Sequence, residues 1–332
     1  MLRSSTLAFA ALGATTGGAL ALEAVSFGTN WEAQAEHGGF YQSVADGTYA
    51  ECGLDVTIVP GGPLVNNRAL MLAGRMDFHM GGNMQQAFDA VDQDIPLVVV
   101  AASFQKSPQV IISHPGVADT WEELQELDTL LIGDGGYISF YQWMMSAFDF
   151  TEEQRAPYTF SIAPFLANEN IGMQGFLSSE PFAIQQEAGF EPNVFVLADY
   201  GFGGYATTIE TMASTIEERP EVVECFVNGS ILGWYNFLYG DNSAAVEMIL
   251  ADNDEMTLDK IDFAINAMIS EGIVDSGDAL EYGIGVITEE AVGTFYADMV
   301  AAGVMEEGVD WRASFTTEFV GNGLGMELRP AE

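Results

Sequence analysis

The feature that most constrains the fold is a regular alternation of strand-like and helix-like segments from Val25 onward, punctuated by glycine or proline. Apolar residues recur at helical spacing between the strand patterns EAVSFGT and LDVTIVPGG. The strand patterns MDFHMGG and IPLVVVAASF follow, separated by further helical segments. Strands that alternate with helices in this way predict βαβ units, and therefore a parallel, doubly wound sheet with right-handed crossovers.

The alternation begins again at QVIISHP and continues to about residue 205, whereas the chain after Thr208 is mainly helical. The late helices need a sheet to cover. We therefore predict an α/β protein of two lobes, each a mostly parallel sheet flanked by helices. Lobe 1 is expected to comprise residues 22–108 and 206–332, and lobe 2 residues 109–205.

Residues 1–21 have the pattern of a secretory signal peptide. Arg3 precedes a small, apolar run without acids, which ends at an A-x-A cleavage pattern. No later segment is long and apolar enough to suggest a membrane span. These features predict a periplasmic protein that does not itself span the membrane. In such an oxidising compartment Cys52 and Cys225 could pair, but their positions in the sequence do not decide it.

The charge balance is strongly acidic, with 49 Asp and Glu against 9 Lys and Arg, a formal net charge of −40. Nucleic acid is excluded as a partner, because it binds basic surfaces. A high net charge favours a soluble monomer. A saline habitat explains the acidity more simply than an acidic docking surface does.

The carboxyl ends of the strands are the expected ligand site, because ligands of open α/β sheets bind there. Asn30 and Trp31 lie at one strand end, and glycine-rich turns lie at others, at 81–83 and 133–137. Lys106 is the one cation at a predicted strand end facing the cleft. Anions normally require Arg, Lys or helix N-termini, so a neutral or cationic ligand fits this acidic chain better. Aromatic faces together with a carboxylate suit an amino-substituted heteroaromatic ring.

Other chemistries lack the residues that they require. The three histidines show no metal-ligand spacing, no G-x-S-x-G occurs, and GDGGYISF departs from the dinucleotide fingerprint at Ile138. We therefore expect no cofactor and no metal site.

Four ordered blocks carry a family resemblance: WEAQAEHGGFYQSVADGTYAECGLDVTIVPGGP, LAGRMDFHMGGN, DIPLVVVAASFQKSPQVIISHP, and GFLSSEPFAI followed by LADYG. They resemble the NMT1/THI5-like periplasmic solute-binding proteins of ABC importers, most closely the branch that binds thiamine-pyrimidine precursors. The resemblance implies a type II periplasmic-binding-protein fold, with the ligand held between the lobes and delivered to an ABC permease. Family members also serve riboflavin, taurine, alkanesulfonates or nitrate, so an anion-binding protein is the first alternative.

A second alternative is the family's enzyme branch, a pyridoxal-phosphate-dependent pyrimidine synthase. The residues that match that branch's Lys and His are Gly81 and Gln85 here. Without the lysine no Schiff base can form at that position, so we do not expect an enzyme.

The predicted site joins these observations. Asn30 and Trp31 would hold one ring face, Tyr41 or His37 the opposite wall, and backbone groups the polar substituents. Glu180 would accept from an exocyclic amine or organise its loop from behind. The predicted ligand-binding residues are Asn30, Trp31, His37, Tyr41, Gly81, Gly82, Asn83, Gly136, Tyr137, Ser139, Glu180 and Tyr205.

Gly38 and Gly39 interrupt the first helical pattern, although each glycine costs about 1 kcal/mol relative to alanine in a helix. The pair is expected either to line the cleft, where a ligand or the other lobe approaches the backbone, or to permit close packing of the helix.

Overall fold

Two five-stranded sheets organise the computed structural model, which describes residues 21–62 and 65–331. The predicted signal peptide lies outside the described residues, except for Ala21. The strands are β1 (Glu23–Gly28), β2 (Leu54–Val59), β3 (Phe78–Asn83), β4 (Leu97–Phe104), β5 (Gln109–Ser113), β6 (Thr129–Ile132), β7 (Arg155–Pro157), β8 (Ile171–Phe176), β9 (Asn193–Val196) and β10 (Ala206–Met212).

The first sheet has the order β2-β1-β3-β10-β4. Strand β1 pairs in parallel with β2 and β3, with Val25 opposite Val56. Strand β10 is antiparallel to both β3 and β4. The sheet is therefore mixed, because β10 interrupts the parallel arrangement that the first repeats predict. The local alternation of strands and helices does not reveal that a distant strand enters between β3 and β4.

The second sheet has the order β7-β6-β8-β5-β9, with β6 parallel to β7 and β8 and with β5 antiparallel to β8 and β9. Its strands come from residues 109–196, and those of the first sheet from 23–104 and 206–212. We call the first sheet and the helices packed on it lobe 1, and the second sheet and its helices lobe 2. The chain passes between the sheets after β4 and again before β10.

Helices cover both sheets, and the late helices return to lobe 1. The α-helices are α1 (Gly38–Ala45), α2 (Thr48–Glu51), α3 (Asn67–Leu72), α4 (Met84–Asp92), α5 (Trp121–Leu124), α6 (Asp134–Gly136), α7 (Gln142–Ala147), α8 (Ala163–Ala167), α9 (Glu180–Ala188), α10 (Ala213–Glu218), α11 (Pro220–Tyr239), α12 (Ser243–Asp252), α13 (Leu258–Ser270), α14 (Ala279–Tyr282) and α15 (Glu289–Ala301). Short 3₁₀ turns occur at Ala35–His37, Glu152–Gln154, Leu197–Tyr200, Trp311–Ser314 and Met326–Leu328, and a π-helical turn at Tyr137–Tyr141. None of the helices in the described part of the chain is long and apolar enough to cross a membrane.

Helix α1 packs closely on α11, and this contact explains the glycine pair. A Cβ atom on Gly38 would lie 2.1 Å from the ring of Phe237, and one on Gly39 would lie 2.4 Å from the ring of Trp234. On the facing helix, a Cβ on Gly233 would lie 2.1 Å from the carbonyl oxygen of Gly39. Of the two roles expected for the pair, the structure shows close packing inside lobe 1. The same helix α11 carries Cys225, which forms a disulfide with Cys52.

Candidate ligand-binding cleft

Three of the side-chain contacts between the lobes lie near the predicted site. The ring of Trp31 meets that of Phe160 at a centroid distance of 4.8 Å. The amide of Gln85 donates to the carbonyl oxygen of Ile138 at 3.1 Å, and the hydroxyl of Ser178 donates to the Glu36 carboxylate. In each pair the first-sheet lobe supplies Trp31, Gln85 or Glu36. We call the surface between these pairs the lobe boundary.

The strand end of β1 holds Trp31 in a braced loop. The Thr29 hydroxyl donates to the Trp31 carbonyl oxygen at 2.7 Å and accepts from the Gly61 amide at 3.0 Å. That amide also donates to the Trp31 carbonyl at 2.9 Å. A side chain on Gly61 would collide with the Thr29 backbone, 2.5 Å from its Cβ. Trp31 is half-buried and Asn30 is exposed beside it, so both lie at the strand end as predicted.

Phe160 reaches toward Trp31 from lobe 2. Its φ of 58° is in the left-handed region, where a bulky residue is uncommon and costs of the order of 1–3 kcal/mol. Its side chain is nevertheless 53% exposed, and its ring also contacts Tyr158 at 5.3 Å. The sequence pattern YTFSIAPF predicts a strand here, but β7 ends at Pro157 and Phe160 follows in an irregular loop. That misassignment is why sequence reasoning missed this residue.

The glycine-rich end of β3 divides into two parts. Gly81 lies within the strand opposite Thr208, and a Cβ there would lie 2.4 Å from the Glu210 carboxylate and 2.4 Å from the Thr208 hydroxyl. The absence of a side chain at position 81 thus leaves room for the Thr208 and Glu210 side chains of β10. Gly82 donates its amide to Gln86 at 3.0 Å. Asn83 caps α4 by accepting from the Gln85 amide at 3.1 Å. Gly82 and Asn83 are half-buried at the strand end.

The glycine-rich turn of lobe 2 has an irregular backbone. Gly136 packs against Gln174 and Phe140, where a Cβ would lie 2.6 Å from each side chain. Ser139 has φ −116° and ψ −106°, which interrupts the helix predicted for YISFYQWMMSAF. The Arg155 guanidinium lies over the ring of Tyr137, 4.6 Å from the ring centroid. The Tyr137 hydroxyl donates to Glu152 at 3.0 Å. Its ring and hydroxyl are therefore engaged by residues of lobe 2.

Glu180 uses both carboxylate oxygens inside its own lobe. One oxygen accepts from the Phe176 amide at 2.7 Å and the other from the Tyr158 hydroxyl at 3.3 Å. Burial raises the pKa of Glu180, while these hydrogen bonds act in the opposite direction. Of the two roles predicted for Glu180, the contacts match the one in which it organises the loop from behind.

Three predicted ligand residues are buried in lobe 1. Tyr41 is fully buried and donates to Asp252 at 2.8 Å. Tyr205 donates to Asp278 at 2.9 Å. His37 is fully buried, neither ring nitrogen has a hydrogen-bond partner among the described residues, and burial lowers its pKa to about 3. Tyr41 is predicted as a wall of the cleft, but its ring is buried inside lobe 1 and its hydroxyl binds Asp252 at the end of α12.

Three cations, one of them predicted to face the cleft, are already paired with carboxylates. Arg68 binds Glu210 at 3.1 Å, and Lys106, predicted to face the cleft, binds Asp199 at 2.9 Å. Arg155 pairs with Asp134. Glu36, in contrast, is buried and forms no ion pair with any described residue, and burial raises its pKa from 4.5 to about 7.

A cavity of about 60 Å³ lies beside Glu36 between the lobes. Lobe 1 contributes Glu36 and Lys260 to its wall, and lobe 2 contributes Ser178, Ser179 and Phe182. Lys260 is half-buried and donates to the Glu255 carbonyl oxygen at 2.9 Å. Within residues 21–62 and 65–331, no group of three or more His, Cys, Asp or Glu side chains is placed to hold a metal ion.

Comparisons with solved structures support the two-lobed fold. A protein from Bordetella bronchiseptica RB50 superposes with a TM-score of 0.65 at 13% identity, covering 89% of this chain and 95% of that one. A putative sulfonate ABC transporter periplasmic sulfonate-binding protein from Methylobacillus flagellatus KT gives 0.60 at 12% identity, covering 90% and 92%. A desulfurization enzyme, DSZB, gives 0.57 at 10% identity, covering 92% and 99%. Binding proteins and an enzyme thus share this fold.

The predicted fold class, two α/β lobes of the periplasmic-binding-protein type, is confirmed by these superpositions. No curated protein matches the chain in sequence. The family described as NMT1/THI5 like matches residues 34–244, which is more than half of the chain. The protein therefore belongs to the NMT1/THI5-like family.

Proposed function

We propose that this protein is the solute-binding component of an ABC importer. It captures a small heteroaromatic ligand, a thiamine-related pyrimidine, in the periplasm and delivers it to the permease of the inner membrane. The contact between Trp31 and Phe160 carries the proposal. Trp31 is half-buried, Phe160 is exposed, and the two rings belong to different lobes. A flat ligand ring that enters between them is therefore stacked on both faces when the lobes close.

The charges near the lobe boundary support a ligand that donates hydrogen bonds. Lys106 and Arg155 are committed to carboxylates, and the field of a chain with net charge −40 repels anions. Acceptors such as the Glu36 carboxylate remain between the lobes, where exclusion of water strengthens each hydrogen bond. An amino-substituted ring satisfies both conditions.

Binding rather than catalysis is part of the proposal. Gly81 and Gln85 occupy the positions at which the family's synthases carry Lys and His, and the space beside Gly81 is taken by Glu210 and Thr208. A lysine side chain at position 81 would collide with both. Pyridoxal-dependent chemistry therefore has no amine at this position.

The second candidate function is import of an anion. The name of the Methylobacillus flagellatus protein, sulfonate-binding, favours it. In this chain Lys106 would have to exchange Asp199 for the ligand. The identity of the solute decides between the two candidates.

A panel of ligands tests the proposal by thermal shift. An aminopyrimidine with a hydroxymethyl substituent and riboflavin are compared with taurine and nitrate. We expect a stabilisation of about 2.7 kcal/mol at a hundredfold excess over the dissociation constant, from an aromatic ligand only. A thermal shift with taurine or nitrate, and none with the aromatic ligands, would show that the ligand is an anion and not a pyrimidine.

A pair of tryptophan variants tests the site. Trp31→Ala removes the stacking face, so affinity for the aromatic ligand should fall at least tenfold. Trp311→Ala is the matched control, because Trp311 is also half-buried but stacks on Phe315, in the last part of the chain. Equal losses of affinity in both variants would show that the effect is general destabilisation.

A further inference from the structure

Gln85 is a buried amide at the lobe boundary. It lies in the first turn of α4, two residues after the capping residue Asn83, and is 5% exposed. Its Nε2 donates to the Ile138 carbonyl oxygen of lobe 2 at 3.1 Å. Because a carbonyl oxygen can only accept, this contact fixes which end of the amide is the nitrogen. The other end, Oε1, is therefore a defined acceptor.

That acceptor has no partner. Gln85 Oε1 is buried and makes no hydrogen bond to any described residue. Buried polar side-chain atoms in folded proteins are usually satisfied, so an unsatisfied one needs an explanation. A donor that arrives between the lobes would supply the missing bond, since the same amide already spans them.

The receiving segment of lobe 2 has the irregularity expected at a binding site. Ile138 belongs to the π-helical turn Tyr137–Tyr141, and Ser139 has non-helical backbone angles. Single π turns concentrate at functional sites. Ile138 is also 66% exposed, although its side chain is apolar. Both partners of this interlobe hydrogen bond thus depart from what packing alone requires.

We propose that Gln85 is a specificity-determining residue, which accepts a hydrogen bond from an N–H group of the ligand through Oε1. The proposal rests on the proposed function and narrows its ligand class to rings that carry an exocyclic amine or a ring N–H. A sulfonate or nitrate has no such donor and would bring its oxygens against this acceptor. Gln85 therefore selects for aminated rings and against anions.

The test measures discrimination between two rings, 4-amino-2,5-dimethylpyrimidine and the same pyrimidine without the amino group, by titration calorimetry. The wild-type protein should prefer the aminated ring at least tenfold. Gln85→Met has nearly the same length and no acceptor, so its preference should fall below threefold. Taking the ratio of ratios cancels the difference in ring basicity between the probes.

Two further variants separate recognition from structure. Gln85→Glu keeps an acceptor but loses the donor to the Ile138 carbonyl oxygen. Its affinity for both rings should therefore fall to a similar extent, and the preference for the aminated ring should remain. Gln86→Met is the matched control, because Gln86 is exposed and bonds to Gly82 within lobe 1. It should leave the preference at the wild-type value.

The outcomes are distinct. A wild-type preference that Gln85→Met retains, or a wild-type protein that binds both rings without preference, overturns the role of Gln85 and leaves the proposed function standing. A wild-type protein that binds neither ring overturns the proposed ligand class and the role of Gln85 together.

Discussion

Two buried carboxylates, one inside lobe 1 and one at the lobe boundary, have opposite surroundings. Glu210 Oε2 lies 3.1 Å from Arg68 Nε and 3.1 Å from His79 Nδ1. Glu36 receives a hydroxyl from Ser178 of the other lobe, and Glu180 adds a repulsive charge nearby. The lobe interior supplies a cationic partner for its buried acid, and the boundary does not.

The difference shows what each region does. Contacts of Glu210 persist as long as lobe 1 is folded, so they contribute to the stability of the fold. The Ser178 contact of Glu36 exists only while the lobes meet, and we expect the Glu36 carboxylate to gain water when they separate. Variants of the lobe interior should therefore change unfolding, and variants of the boundary should change ligand affinity.

The largest effect is expected from Arg68→Met, which leaves Glu210 buried without its guanidinium. Removing one partner of a buried ion pair costs about 3 kcal/mol, the lower end of the usual range, because Arg68 is partly exposed and His79 remains. Urea unfolding measures the loss, while affinity should stay within twofold of wild type. Unchanged stability together with lost affinity would reverse the assignment of the two regions.

The next effect is a pH dependence of closure set by Glu36. The pKa of Glu36 is raised to about 7 with the lobes in contact, against 4.5 in water. A raised pKa means that protonation favours the closed arrangement. Its contribution is complete below about pH 4.5 and is lost as the pH rises to about 7. Affinity for riboflavin should fall by up to tenfold, about 1.4 kcal/mol, per pH unit in this window.

Glu36→Gln is the control for that pH dependence. Glutamine has the same shape, stays neutral and can still accept from Ser178, so its affinity should not vary between pH 5 and 7. Lys260 and His37 are the other ionisable groups beside Glu36. A variant that keeps the wild-type slope would assign the proton to one of them or to Glu180.

A smaller effect on stability alone is expected from Gly39→Ala in the interior. The added methyl group would meet Trp234 at 2.4 Å, and overpacking of this kind typically costs about 1–3 kcal/mol. Gly203→Ala is the matched control, since no atom lies within 4 Å of the position of its Cβ. The free energy of unfolding should fall in Gly39→Ala and stay unchanged in Gly203→Ala. A loss of ligand affinity without a loss of stability would show that the glycine pair lines the cleft, contrary to the packing role.

The fold was predictable from the sequence because periodicity assigns strands, helices and their order. The predicted second unit contains β5 to β9, and the helices after residue 212 return to lobe 1. Periodicity does not assign partners, however. Tyr41 belongs to the first helical pattern, but that pattern does not show that its hydroxyl binds Asp252. The insertion of β10 beside β3 is equally invisible in the local pattern.

The site was only partly predictable, for a similar reason. Asn30, Trp31, Gly82 and Asn83 lie at strand ends, where the sheet rule places them. Phe160 was missed because its left-handed backbone follows a strand pattern. In the sequence, Gln85 stands out only because it replaces the histidine of the family's enzymes. Its hydrogen bond to Ile138 depends on how the second lobe is placed, which the local sequence does not show.

The smallest effect is expected from Ser178→Ala, which tests how the boundary carboxylate is tuned. The Ser178 hydroxyl lowers the pKa of Glu36, against the larger effect of burial that raises it. Removing the hydroxyl should raise that pKa further and move the affinity transition to higher pH. It should also weaken binding at pH 5 slightly, because one interlobe hydrogen bond is lost, worth about 1 kcal/mol. Ser179→Ala is the control, since Ser179 lines the same cavity without bonding to Glu36. If both serine variants keep the wild-type midpoint, Glu36 is tuned by burial alone, and the boundary differs from the interior only in lacking a cation.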